Sequence, residues 1–122
     1  MTVTMLPLVC TATLHSLEES LDGEQALCRN FVCRYVDMWP QRFNRIHDAV
    51  TTGHQEDAMD AALSLRSSSM MVGAARLGEL TSDLIQLIEC GHHAAAATKL
   101  AALRRCGNQT TCQLTASYVN AA

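Results

Sequence analysis

Apolar residues recur at three- and four-residue steps between positions 28 and 50. This spacing is typical of a helix that buries one face. Pro40 lies inside the pattern, and because the periodicity continues in phase on both sides, we expect it to kink the helix rather than end it. The helix should close at Thr51-Thr52-Gly53. Its inward residues are Cys28, Val32, Tyr35, Trp39, Phe43, Ile46 and Val50.

The rest of the chain shows the same helical periodicity, and no segment alternates like a strand. Ser16 with Glu19 forms a capping-box pattern, which predicts a short helix through Leu21. Residues 1–15 are weakly patterned and are expected to form a loose arm. Longer helices are predicted over residues 54–71, 74–89 and from 92 onward, with Gly107 weakening the last one midway.

Long helices joined by tight turns predict an all-α fold. We expect an antiparallel up-and-down four-helix bundle with a short N-terminal helix, formed by residues 16–122 as one domain.

Charge and hydropathy exclude several classes of partner. The 122 residues carry a net charge of -3 and no basic block, so nucleic-acid binding is not expected. No apolar run approaches the roughly 20 residues needed to cross a bilayer. The first basic residue is Arg29, so the start of the chain lacks the charged region of a secretory signal. We therefore expect a soluble, cytoplasmic protein with no membrane partner.

The six cysteines do not have the spacing of a structural zinc site. Cys28 and Cys33 are five apart, and Cys106 and Cys112 are six apart. Cys90, His92 and His93 lie together only because they surround the Gly91 turn, and metal binding there is not expected. We predict reduced, partly buried thiols, no metal and no cofactor.

The third predicted helix has a second apolar stripe besides its core face. At 100° per residue, Leu63 points about 140° away from Ala58, which belongs to the core face. Met59 and Met70 share this outward arc, which Arg66 and Ser67 flank. Three interpretations stay open at this point: ordinary exposed hydrophobic residues, a stripe covered by the N-terminal arm, or a docking surface for a partner.

The same helix resembles the signature of histidine-phosphotransfer (HPt) domains, which reads approximately A-H-x-L-K-G/S-S-S-x-x-x-G-A. Ala62 matches the alanine before the histidine, and Leu65 matches the core leucine. Arg66 stands at the lysine position and Ser67 at the small residue. Gly73-Ala74 matches the closing pair. The resemblance covers roughly residues 24–105 and is specific only in this helix.

Leu63 occupies the position of the phosphorylatable histidine. Since leucine has no nucleophile, the resemblance implies a pseudo-HPt protein that is not an enzyme. It would bind a receiver domain or a histidine kinase of a two-component phosphorelay without accepting phosphate. The residues expected to bind are Met59, Leu63, Arg66, Ser67, Met70 and Gly73.

Two other functions remain open from the sequence. An active phosphotransfer protein could use a displaced histidine, for which His54 and His47 are the candidates. Alternatively, the chain could be a helical scaffold that forms a homodimer through the Leu63 stripe.

Overall fold

The computed structural model describes residues 6–120, which form an all-α protein with no strand in that range. The predicted fold class is therefore confirmed at this level. Its five α-helices are α1 (Thr11–Ser20), α2 (Gln25–Thr51), α3 (Gln55–Val72), α4 (Ala75–Glu89) and α5 (His93–Leu114), and a π-helical turn (Thr115–Val119) continues α5.

α3 and α4 begin and end close to their predicted positions, as do the end of α2 and the start of α5, because apolar periodicity and glycine turns mark these boundaries. α2 continues through Pro40, as expected. Around the molecule, α3 packs against α2 and α4, and α5 packs against α4 and α2. The core lies between them, and its largest fully buried residues are Ile46, Leu65, Leu77, Leu84, Ile88, Leu103 and Leu114.

The first helix differs from its prediction. α1 begins at Thr11, not at Ser16, and its N-cap residue Cys10 makes no side-chain capping hydrogen bond. Ser16 lies inside the helix, where its hydroxyl donates to the carbonyl of Ala12 at 3.2 Å. The capping-box pattern therefore misplaced the start, since a serine hydroxyl can also bond to a carbonyl one turn earlier.

The segment before α1 is not a loose arm where the structure describes it; residues 1–5 of the predicted arm lie outside the described residues. The amide of Cys10 donates to the carbonyl of Gly73 at 2.7 Å. Arg76 donates from its amide to Pro7 at 3.1 Å and from its Nε to Leu6 at 2.9 Å. These bonds fix residues 6–10 against the turn between α3 and α4.

The last helix is not weakened at Gly107, contrary to expectation, and remains α-helical to Leu114. Gly107 lies directly against the indole of Trp39. The indole N–H donates to Asn108 Oδ1 at 2.8 Å, which ties α2 to α5. Tertiary contact here outweighs the low helix propensity of glycine.

Within residues 6–120, every helix is too short or too polar to cross a lipid bilayer.

Candidate docking site on the third helix

α3 buries the face that its sequence predicts. The inward residues are Ala58, Ala61, Ala62, Leu65, Ser69 and Val72, all of them buried. The hydroxyl groups of Ser69 and Tyr35 share a hydrogen bond of 2.6 Å, so the one polar residue on this face is satisfied. Burial raises the pKa of Tyr35 to about 12, and the bond to Ser69 offsets only part of this effect.

Leu63 and Met59 lie at the edge of the core and not in the middle of an exposed stripe. Both side chains are partly buried and pack against the core cluster. The ridge of α3 opposite its buried face is instead exposed and mainly polar, and it consists of Asp60, Ser64, Ser67 and Met71. A leucine about 140° from the buried face has enough length to fold back onto the neighbouring helix, which explains the difference.

The remaining motif residues on this flank are accessible. Met70 is 62% exposed and Ser67 is exposed. Arg66 is partly buried and forms no ion pair within residues 6–120. The structure thus places an apolar side chain, a cation and a small residue along one flank, with Leu63 beside them.

Gly73 is buried, unlike the other predicted binding residues. Its φ of 80° is left-handed, and a Cβ built there would lie 2.5 Å from the carbonyl oxygen of Cys10. The N-terminal segment therefore covers Gly73, while Met70 stays exposed beside it. Gly73 lies outside the stripe, and Met70, which belongs to it, is not covered by the described part of the arm.

A groove of ≈ 320 Å³ lies next to Met70 between α3, α4 and the N-terminal segment. It is lined by residues that the sequence did not point to, including Leu6, Gly78, Glu79 and Ser82. Leu6 is 41% exposed. Only the packing of α4 and of residues 6–10 brings these residues beside Met70, so no local pattern could have identified them.

On its opposite flank, α3 bonds to α2 through two arginines. Arg42 Nη1 donates to Ser68 Oγ at 2.8 Å, and Arg45 Nη2 pairs with Asp57 Oδ1 at 2.7 Å. Sequence reasoning missed both arginines, because their partners lie on another helix.

The two candidate histidines lie away from Leu63. His54 precedes α3, nine residues before Leu63 and hence about 13 Å along the helix axis, and its ring bonds to the hydroxyl of Thr52 at 2.6 Å. His47 is exposed on α2, with Asp48 at 3.5 Å. Neither candidate histidine therefore lies on the flank around Leu63.

All six cysteines are free. Within residues 6–120, no group of three His, Cys, Asp or Glu side chains could hold a metal ion, and Cys90, His92 and His93 are exposed. Hydrogen bonds from Thr13 lower the pKa of the Cys10 thiol at the start of α1.

No family model, curated protein or solved structure gives a significant match to this chain.

Proposed function

We propose that the chain forms an antiparallel up-and-down four-helix bundle of the HPt type, with α1 as an additional short helix. Contacts between α3 and α4 support this topology. Gln55 Nε2, at the start of α3, donates to the carbonyl of Ile88, near the end of α4, at 3.0 Å. Met70, near the end of α3, lies against Gly78, near the start of α4, because a Cβ built at Gly78 would be 3.6 Å from Met70 Cγ. The two helices therefore run in opposite directions.

On this fold we propose a pseudo-HPt module that binds a receiver domain or a histidine kinase in the cytoplasm. The arrangement on α3 carries the proposal: Leu63 replaces the histidine, while Arg66, Ser67 and Met70 follow it on one accessible flank. Arg66 would pair with acidic or phosphoryl oxygens of the partner. Ser67 would leave room for its approach, and Met70 would supply an adaptable apolar contact.

This function is recognition without chemistry. Phosphoryl transfer needs a nucleophile at the centre of the docking surface, and leucine has none. A module that binds the same partners as an active HPt domain would compete with it and reduce the flow of phosphate through the relay. Six free thiols are compatible with the reducing cytoplasm in which such relays operate.

The test is direct binding of the purified protein to receiver domains and histidine kinases from the same organism, measured by calorimetry. Met70→Asp should weaken binding roughly tenfold or more, since it places a charge in an apolar contact. Leu27→Asp is the matched control, because Leu27 is 53% exposed but lies at the start of α2. It should leave affinity unchanged. If no receiver or kinase binds, the proposal is wrong.

A second experiment restores the missing nucleophile. Leu63→His should acquire acid-labile phosphate from a phosphorylated receiver that binds the parent chain, while the parent acquires none. Phosphorylation of the parent, lost on His54→Ala or His47→Ala, would instead establish the displaced-histidine alternative. A stable dimer that dissociates on Leu63→Asp, without receiver binding, would establish the scaffold alternative.

A further inference from the structure

A second groove, of ≈ 210 Å³, lies between α2 and α3. Its lining residues on α3, Ser64 and Ala61, lie about 120° and 180° around the helix from Met70. Both of its charged lining residues are arginines, and the full lining is Met38, Gln41, Arg42, Arg45, Ala61 and Ser64.

Arg42 is held in place but incompletely satisfied. Its Nη1 donates to Ser68 Oγ at 2.8 Å, with longer and weaker contacts to the carbonyl of Ser64 at 3.4 Å and to its hydroxyl at 3.5 Å. Its Nε is buried and has no hydrogen-bond acceptor within residues 6–120. The buried Nε is out of reach of a ligand in the groove. Nη2 is not buried and forms no hydrogen bond within residues 6–120, so it is the nitrogen of Arg42 that can donate to an acceptor in the groove.

The charge of Arg42 is also uncompensated, since the guanidinium forms no ion pair within residues 6–120. Arg45 beside it is neutralised by Asp57 at 2.7 Å, and this pair is exposed to solvent. The groove therefore combines one fixed, unpaired guanidinium with a second whose partner can be screened or exchanged. Gln41 and Ser64 add neutral donors to its wall.

We propose that this groove is a binding site for a phosphoryl oxyanion, either free phosphate or a phosphate monoester. A dianion matches two adjacent guanidinium groups, whose planar forks bond to phosphate oxygens in pairs. The groove volume is several times the roughly 30 Å³ share of a water molecule, which leaves room for a tetrahedral anion. The site uses none of the residues of the Met70 flank, so it stands independently of the proposed function.

The test follows the guanidinium Nη–H resonances of Arg42 by NMR while inorganic phosphate is added to the full chain at constant ionic strength. We expect a saturable shift of these resonances and slower exchange of their protons with solvent. A parallel titration uses O-phosphoserine in place of inorganic phosphate. If it binds at least as tightly as phosphate, the physiological ligand is an ester; if only phosphate binds, it is the free ion. A response that sodium chloride reproduces would indicate an adventitious ion only and would overturn the proposal.

Variants locate the site. Arg42→Gln should weaken phosphate binding roughly tenfold to a hundredfold, as expected for loss of a charged donor pair. Arg45→Gln should also weaken it, whereas Asp57→Asn should strengthen it by releasing Arg45. Arg104→Gln is the control, because Arg104 lies on α5 over the ring of Phe43. If Arg42→Gln fails to fold, the other two variants still test the site, because Arg45→Gln should lower the affinity for phosphate and Asp57→Asn should raise it. Equal affinity in all four variants refutes the site, as do guanidinium resonances of Arg42 that phosphate leaves unmoved.

Discussion

Gly107 lies in the middle of α5, directly against the indole ring of Trp39. A Cβ at this position would overlap Trp39 Cζ2, far inside van der Waals contact. Gly107→Ala should therefore displace the ring and strain its bond to Asn108. Overpacking of this kind costs roughly 1–3 kcal/mol, which exceeds the gain of about 1 kcal/mol in helix propensity. We expect a lower free energy of unfolding in urea and a changed emission from the chain's one tryptophan.

Gly78→Ala is the matched control for this prediction. Gly78 is also buried within a helix, but its nearest neighbour would be Met70 Cγ at an ordinary contact distance of 3.6 Å. The same substitution should therefore raise stability, by up to about 1 kcal/mol, through helix propensity alone. Equal effects of the two substitutions would show that the indole does not restrict position 107.

Residue by residue, the sequence predicted burial better than contact. Periodicity correctly identified the inward positions of α3, because burial on a helix follows its 100° repeat, but Met59 and Leu63, which were expected to point outward, are partly buried against the core. It could not reveal why Gly107 is a glycine, nor that Arg42 reaches Ser68. These facts depend on residues that are distant in sequence, and no local pattern contains them.

At the scale of elements, Gly73 links the end of α3 to the N-terminal segment. Its backbone has a left-handed φ of 80°, and a Cβ built on it would lie 2.5 Å from the carbonyl oxygen of Cys10. Gly73→Ala should detach residues 6–10 and increase amide hydrogen exchange there and in α1. Its cost should exceed the roughly 1–2 kcal/mol of the left-handed backbone alone.

Gly91→Ala separates the two causes. Gly91 has a similar φ of 75°, but no atom of residues 6–120 lies within 4 Å of a Cβ built there. Gly91→Ala should lower the free energy of unfolding only by the cost of the left-handed backbone, and amide hydrogen exchange in residues 6–20 should remain as in the parent. If both variants lose the same free energy of unfolding, the contact with Cys10 contributes nothing to the attachment.

The ends of the helices show what local signals do and do not provide. Turns at Gly53, Gly73 and Gly91 placed the boundaries of α2 to α5 well, because a left-handed residue ends a helix regardless of its surroundings. The start of α1 was missed because no glycine turn precedes it; it is held instead by bonds to the α3–α4 turn.

At the scale of the whole molecule, tertiary bonds connect the two ends of the described chain to each other and to the core. Tyr118, in the π-helical turn, donates its hydroxyl proton to Glu18 Oε2 of α1 at 3.0 Å, across 100 residues of sequence. The sequence predicted a bundle because amphipathic helices must bury their apolar faces. It could not predict this link or the two grooves beside α3, which arise only when particular helices become neighbours.

Both tyrosines make the stability of the whole fold sensitive to alkaline pH. Burial raises the pKa of Tyr35 from 10.0 to about 12, and burial together with Glu18 and Cys28 raises the pKa of Tyr118 as well. Above about pH 10 the unfolded chain loses these protons while the folded chain retains them, so the free energy of unfolding falls as pH rises. For Tyr35 the total fall in the free energy of unfolding is roughly 3 kcal/mol, complete only above its folded pKa.

Urea unfolding of the parent chain at several pH values between about 8 and 11 should show a declining free energy of unfolding, and the decline should be less steep for Tyr35→Phe. Since Tyr118 still contributes in that variant, the slope of the free energy of unfolding against pH should decrease without vanishing. An unchanged slope would mean that Tyr35 ionises as easily in the folded protein as in the unfolded chain.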